Sequence, residues 1–117
     1  DLATLGRINA KMQQAVAAAG GRIDAVFFCP HGPDAGCACR KPKPGMLLEI
    51  LQRFRAAPAE VHAIGDHLRD LQAAHAAGCR PVLVLTGKGQ ATMKKGDLPP
   101  DTVVRVDLAA VAAELAP

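Results

Sequence analysis

Cys29, His31, Cys37 and Cys39 fall within one eleven-residue run, Cys29-Pro-His-Gly-Pro-Asp-Ala-Gly-Cys-Ala-Cys39. Three thiols and one imidazole form a complete tetrahedral donor set for zinc, offered by two short hooks, Cys29-x-His31 and Cys37-x-Cys39. The one-residue gaps are tighter than in common zinc hooks. Four protein ligands would leave no open coordination position, so a zinc ion held here is expected to be structural. The competing reading is three reduced cysteines in a surface loop, or a stray disulfide. Three thiolates and one divalent ion sum to one negative charge, which the adjacent Arg40 and Lys41 would offset.

The basic run Arg40-Lys41-Pro42-Lys43-Pro44-Gly45 is either a solvated turn that starts a helix or a set of charges held beside an anion site. Fixed by a metal clip, the Lys41 ammonium becomes a positioned point charge at a helix start, where the helix dipole also favours anions. Arg40 adds a planar fork matched to phosphate oxygens. Farther on, Gly65-Asp66-x-x-x-Asp70 sets one carboxylate at a strand tip and a second on the following first helical turn. Such a pair can hold magnesium through one carboxylate while the other orients a neighbour. It can equally be a cap and a first-turn charge, each contributing about 1 kcal/mol or less.

Gly87-Lys88-Gly89 lacks the ending of a phosphate-binding P-loop and the third glycine of a dinucleotide fingerprint, so it reads as an ordinary loop. His62 and His75 read as packing or surface residues. His67 is left open because it abuts Asp66.

The elements that would position these residues are legible from periodicity. Leu5, Ile8, Met12, Val16 and Ala19 recur at helical spacing before Gly20-Gly21, predicting an amphipathic helix over residues 2–19. Residues 23–28 read as a buried strand that delivers Cys29 at its end. Pro44 suits the first position of a helix whose apolar stripe is Leu47, Ile50, Leu51 and Phe54. A strand over 61–65 ends at Asp66, a helix over 68–77 is stopped by Gly78, and 81–86 is a third, continuously apolar strand. Residues 87–100 read as a loop, 102–106 as a short strand, and Asp107 as the cap of a last helix ending near Leu115. Alternating strands and helices with continuously apolar strands predict an α/β fold with a parallel sheet covered by helices. Open parallel sheets bind ligands beyond the carboxyl ends of their strands, where Cys29, Asp66 and Thr86-Gly87-Lys88 all fall.

At 117 residues and 50% apolar, the chain suffices for one domain burying roughly 65% of its unfolded surface. The 3% aromatic content, with no Trp or Tyr, argues against stacking platforms for single-stranded nucleic acid. A formal charge of +3, scattered apart from Arg40, Lys41, Lys43 and Lys94-Lys95, suits a small anion better than a duplex. No apolar run is long enough to span a bilayer and no signal-like stretch is present, so the cytoplasm is the expected compartment and no membrane partner is expected. In that reducing compartment, clustered cysteines favour metal over a disulfide.

Together, Cys29-Pro-His31, Cys37-Ala-Cys39-Arg40-Lys41-Pro42, Pro44-Gly45-Met46 and Gly65-Asp66 with Asp70 resemble the zinc-loop phosphatases of the haloacid dehalogenase superfamily. The resemblance implies a three-layer, Rossmann-like parallel sheet forming one domain over residues 1–117, with a zinc-binding loop over 29–39. It implies magnesium-dependent hydrolysis of a small phosphorylated substrate through an aspartyl-phosphate: a heptose bisphosphate in one branch of the family, histidinol phosphate in another. Lys41 would then neutralise the transferring phosphoryl group and Asp66 would ligate magnesium with Asp70 supporting it. Arg40 would contact substrate, and Cys29, His31, Cys37 and Cys39 would bind zinc.

The family pattern begins with a strand ending in Asp-x-Asp, the source of the nucleophile and of the general acid. None of the eight aspartates here is spaced by two from another. The sequence therefore resembles the later two thirds of such an enzyme, lacking the central strands that lie between those ending at Cys29 and Asp66. On this basis the chain alone is expected to be inactive, a non-catalytic zinc module. It is also expected to be poorly stable, to self-associate or to rearrange, because unpaired strand edges are costly.

Overall fold

The computed structural model describes residues 1–29 and 36–115. His31 therefore lies outside the described residues, as do the other residues of the 30–35 stretch. Helix α1, Leu2–Ala18, is capped by Asp1, whose side chain accepts from the Thr4 backbone N–H at 2.7 Å. Its apolar periodicity does produce a helix, yet none of its residues is buried, and Ile8 is 58% exposed.

The segment 23–28 departs from expectation. It forms no strand, because a strand exists only through a hydrogen-bonded neighbour and this segment has none among the described residues. Its Phe27 ring instead lies 5.9 Å from the Arg53 guanidinium on α2, Gly45–Phe54. That helix is entered from Pro44, and Gly45 is required there: a Cβ would sit 2.2 Å from the Ala38 carbonyl oxygen.

A single 3₁₀ turn, Pro58–Glu60, leads into strand β1, His62–Gly65. Helix α3, Leu68–Ala76, returns to strand β2, Arg80–Val84. Helix α4, Gly89–Lys95, then corrects the loop expected over 87–100. Strand β3, Val103–Arg105, and helix α5, Leu108–Leu115, complete the order, with the Asp107 carboxylate accepting from the Ala110 N–H at 2.8 Å.

The strands form one parallel sheet in the order β1-β2-β3, with Ile64 opposite Val82 and Val82 opposite Val103. Alternation along β2 divides the core between two faces. Leu51 of α2, Ala74, Ala77 and Cys79 pack with Val61 and Ala63 on one side. Val82, Val84 and Val111 of α5 pack on the other. The result is the expected three-layer α/β arrangement around three strands. No helix among the described residues is long and apolar enough to cross a membrane.

Candidate active site and metal clip

The carboxyl ends of β1 and β2 gather the predicted polar residues. Asp66 follows β1 directly, and its carboxylate accepts from the Lys88 backbone N–H at 2.9 Å. That hydrogen bond, first among several causes and opposed by some burial, holds the Asp66 carboxyl below the ordinary carboxylate range. One carboxylate oxygen is anchored in this way, leaving the other for a cation, so the group suits a magnesium ligand. Gly87 makes this approach possible: its φ is +57°, and a Cβ would lie 2.4 Å from the Asp66 Oδ2. Thr92 of α4, only 8% exposed, reaches the Asp66 carbonyl with its hydroxyl at 2.8 Å.

Asp70 combines both roles considered from sequence. Its Oδ2 accepts from the His67 backbone N–H at 3.2 Å, while its Oδ1 lies 2.5 Å from the Lys41 Nζ. His67 is the N-cap of α3, its Nδ1 accepting from the Arg69 N–H, and with Asp70 it forms a reciprocal capping box. At His67 the described contact is therefore a helix cap. Gly65 accommodates the pair, since a Cβ there would fall 2.5 Å from Asp70. The Lys41 side chain is 42% exposed and that of Asp70 17%, so this ion pair sits near the surface.

Cys29, Cys37 and Cys39 converge beside Lys41, with Cys37 Sγ 3.5 Å from the sulfurs of both Cys29 and Cys39. A disulfide requires about 2.05 Å, whereas sulfurs about 2.3 Å from one zinc ion at tetrahedral angles lie roughly 3.8 Å apart. All three cysteines are free here, and their mutual spacing fits a common metal ion better than a disulfide. Burial raises the Cys37 thiol, but hydrogen bonds from Cys39, Cys29 and the Arg40 and Cys39 backbone outweigh it and bring the value down to about 6. The hydrogen bond with Cys29 and burial push Cys39 up to about 12. After the cysteines the chain turns through Lys43 N–H to Arg40 carbonyl at 3.0 Å, and the Lys41–Pro42 peptide is cis.

The remaining histidines are accounted for elsewhere. His75 pairs with Asp101 at 3.2 Å, and His62 begins β1 at the opposite end of the sheet. The contacts of Gly87, Lys88 and Thr92 with Asp66 were not expected from the sequence. The signal available was only that Thr86-Gly87-Lys88 ends a strand; their approach to Asp66 is tertiary.

A parallel three-layer α/β fold carries an acidic pair, a lysine and a cysteine cluster near its strand ends, the placement expected from the resemblance to the haloacid dehalogenase superfamily. A family model described as HAD-hyrolase-like matches residues 38–110, and the chain belongs to that family. It is 57% identical over 98% of its length to a D-glycero-beta-D-manno-heptose-1,7-bisphosphate 7-phosphatase of Bordetella bronchiseptica, and 48% identical over 98% to that of Pseudomonas aeruginosa. The crystal structure of D,D-heptose 1,7-bisphosphate phosphatase from B. bronchiseptica, complexed with magnesium and phosphate, superposes with a TM-score of 0.95 at 57% identity, over 98% of this chain and 64% of that one. The corresponding protein from Burkholderia thailandensis superposes with a TM-score of 0.76 at 46% identity, over 97% of this chain and 63% of that one. This chain spans 64% of the length of each of the two curated relatives.

Proposed function

We propose that this chain is the greater part of a magnesium-dependent phosphomonoesterase that removes the 7-phosphate from D-glycero-D-manno-heptose 1,7-bisphosphate in the cytoplasm. Residues 1–117 form one haloacid dehalogenase-like domain with a zinc-binding loop over 29–39. The observation that carries the reading is the 2.5 Å contact of Lys41 with Asp70, beside an Asp66 anchored by Lys88. It leaves an ammonium, one orienting carboxylate and one metal-ready carboxylate around a single strand end.

In this reading Lys41 neutralises the transferring phosphoryl oxygens while Asp70 holds its ammonium in place. Asp66 is the magnesium ligand, and magnesium when bound supplies positive charge to the reacting phosphate. Arg40 grips substrate oxygens. Cys29, Cys37, Cys39 and His31 hold the zinc that fixes the Arg40-Lys41 turn. The aspartate that carries the phosphoryl group in the intermediate comes from an Asp-x-Asp segment that this sequence does not contain.

The test joins this chain to the preceding segment of the B. bronchiseptica relative and compares two substrates. Higher kcat/KM with the heptose 1,7-bisphosphate than with histidinol phosphate is expected. A preference for histidinol phosphate would replace the proposed substrate.

A further inference from the structure

Thr92 takes no part in the reading above, yet its hydroxyl lies between two backbone carbonyls that bear on it. Its Oγ1 donates to the Asp66 carbonyl at 2.8 Å and to the Lys88 carbonyl at 3.0 Å. A hydroxyl carries one hydrogen, so the two oxygens share a three-centre bond. The Lys88 contact alone is ordinary, because a helical threonine often bonds back to the residue four before it. The Asp66 contact is not local, since 26 residues separate the two.

Asp66 and Lys88 are also the two ends of another bond, from the Lys88 N–H to the Asp66 Oδ2 at 2.9 Å. Thr92 therefore ties together the backbones of both the donor and the acceptor of the contact that orients the carboxylate. The turn between them is closed by the Gly89 N–H on the Thr86 carbonyl at 2.8 Å, and the Thr92 N–H adds a second bond to the Lys88 carbonyl at 3.0 Å. Thr92 is buried, so a side chain of the same shape without the hydroxyl leaves no room for a water to replace it.

We propose that Thr92 is a positioning residue: it latches α4 to the end of β1 and so holds the Asp66 carboxylate with Oδ2 on Lys88 and Oδ1 left for the cation. The inference rests on the reading of Asp66 as the magnesium ligand. Thr92 touches no reacting atom, so its effect falls on magnesium affinity, which typically changes about ten- to hundredfold when a group that holds a metal ligand from behind is lost.

The test uses the joined enzyme and two variants that separate the hydroxyl from the methyl. Thr92→Val keeps the branched shape and loses the donor, whereas Thr92→Ser keeps the donor and loses the methyl. Neither changes a charge, so a changed magnesium requirement reports geometry. Thr92→Val should raise the magnesium concentration for half-maximal turnover by at least about tenfold, with kcat at saturating magnesium little changed. In the magnesium-free protein it should also speed exchange of the Lys88 amide hydrogen about fivefold, the scale of one hydrogen bond. Thr92→Ser should stay close to wild type in both. A threonine that only packs gives the reverse order, with serine the more damaged variant by thermal melt and the magnesium requirement unmoved in both. That result, or an equal shift in both variants, overturns the proposal. If the valine variant does not fold, Thr92→Ala is set against Thr92→Ser in the same way. If the joined enzyme shows no magnesium-dependent turnover, or Asp66→Asn leaves its magnesium requirement unchanged, the metal reading of Asp66 fails by itself. Lys88 amide exchange then decides: faster exchange in Thr92→Val than in Thr92→Ser supports the latch, and equal rates overturn it.

Discussion

Lys41, Asp66 and Asp70 come together through backbone features that each have a specific substitution to break them. Lys41→Ala in the joined enzyme should lower kcat by at least about a hundredfold, the effect of deleting one contact to developing charge, roughly 2.7 to 4 kcal/mol; an unchanged kcat removes Lys41 from the chemistry. Gly87→Ala places a Cβ 2.4 Å from the Asp66 carboxylate at a φ of +57°. It should cost about 1 to 2 kcal/mol in the left-handed backbone alone and weaken magnesium binding, measured by titration beside a thermal melt. The Asp66 carboxyl is held below its ordinary value of 3.8, so its contribution to stability is present above that value and lost as pH falls through the lower folded one. Asp66→Asn should therefore lose stability near neutral pH, and its gap from wild type should close only below pH 3.8, as pH-dependent unfolding would show. Lys41, Asp66, Asp70 and the cysteines were legible in the sequence because strand ends and short ligand spacing mark them. Gly87 and Thr92 were not, because their significance depends on a neighbour more than twenty residues away.

The cysteine loop and α4 mark the limits of reading elements from periodicity. Helices α1, α2, α3 and α5 and the three strands follow caps, apolar stripes and continuous apolar runs, with ends shifted by one or two residues. Helix α4 was hidden by its glycine-rich and lysine-rich composition. It forms where Gly89 lets the backbone close on the end of β2, since a Cβ there would meet the Val84 carbonyl oxygen, and where Thr92 ties it to Asp66. The strand expected over 23–28 failed for the converse reason: its local pattern was right, but a ladder needs a partner. The zinc clip is the element whose removal can be tested directly. Structural zinc contributes roughly 10 to 16 kcal/mol of apparent binding free energy in small peptides, so chelation should disorder residues 29–41. Amide exchange should rise there while β2 remains protected; a segment equally protected without metal would contradict the clip.

At the scale of the molecule, the sheet among the described residues has three strands with β1 at one edge, and the apolar Ile64 on that edge strand is 38% exposed. An edge with unpaired backbone groups beside apolar surface favours association. The isolated chain should therefore elute larger than a monomer or melt with a concentration-dependent midpoint; a cooperative, concentration-independent monomeric melt would contradict this. Joining the preceding segment of the B. bronchiseptica relative should abolish that dependence. The central claim is that these residues supply the lysine, metal carboxylate and clip of a phosphatase whose nucleophile lies in another segment. It is tested most directly by assaying heptose 1,7-bisphosphate hydrolysis with magnesium, using this chain alone and the joined protein in parallel. The account predicts turnover only in the joined protein; turnover by the chain alone, or a folded and metal-loaded joined protein that releases no phosphate, would contradict it.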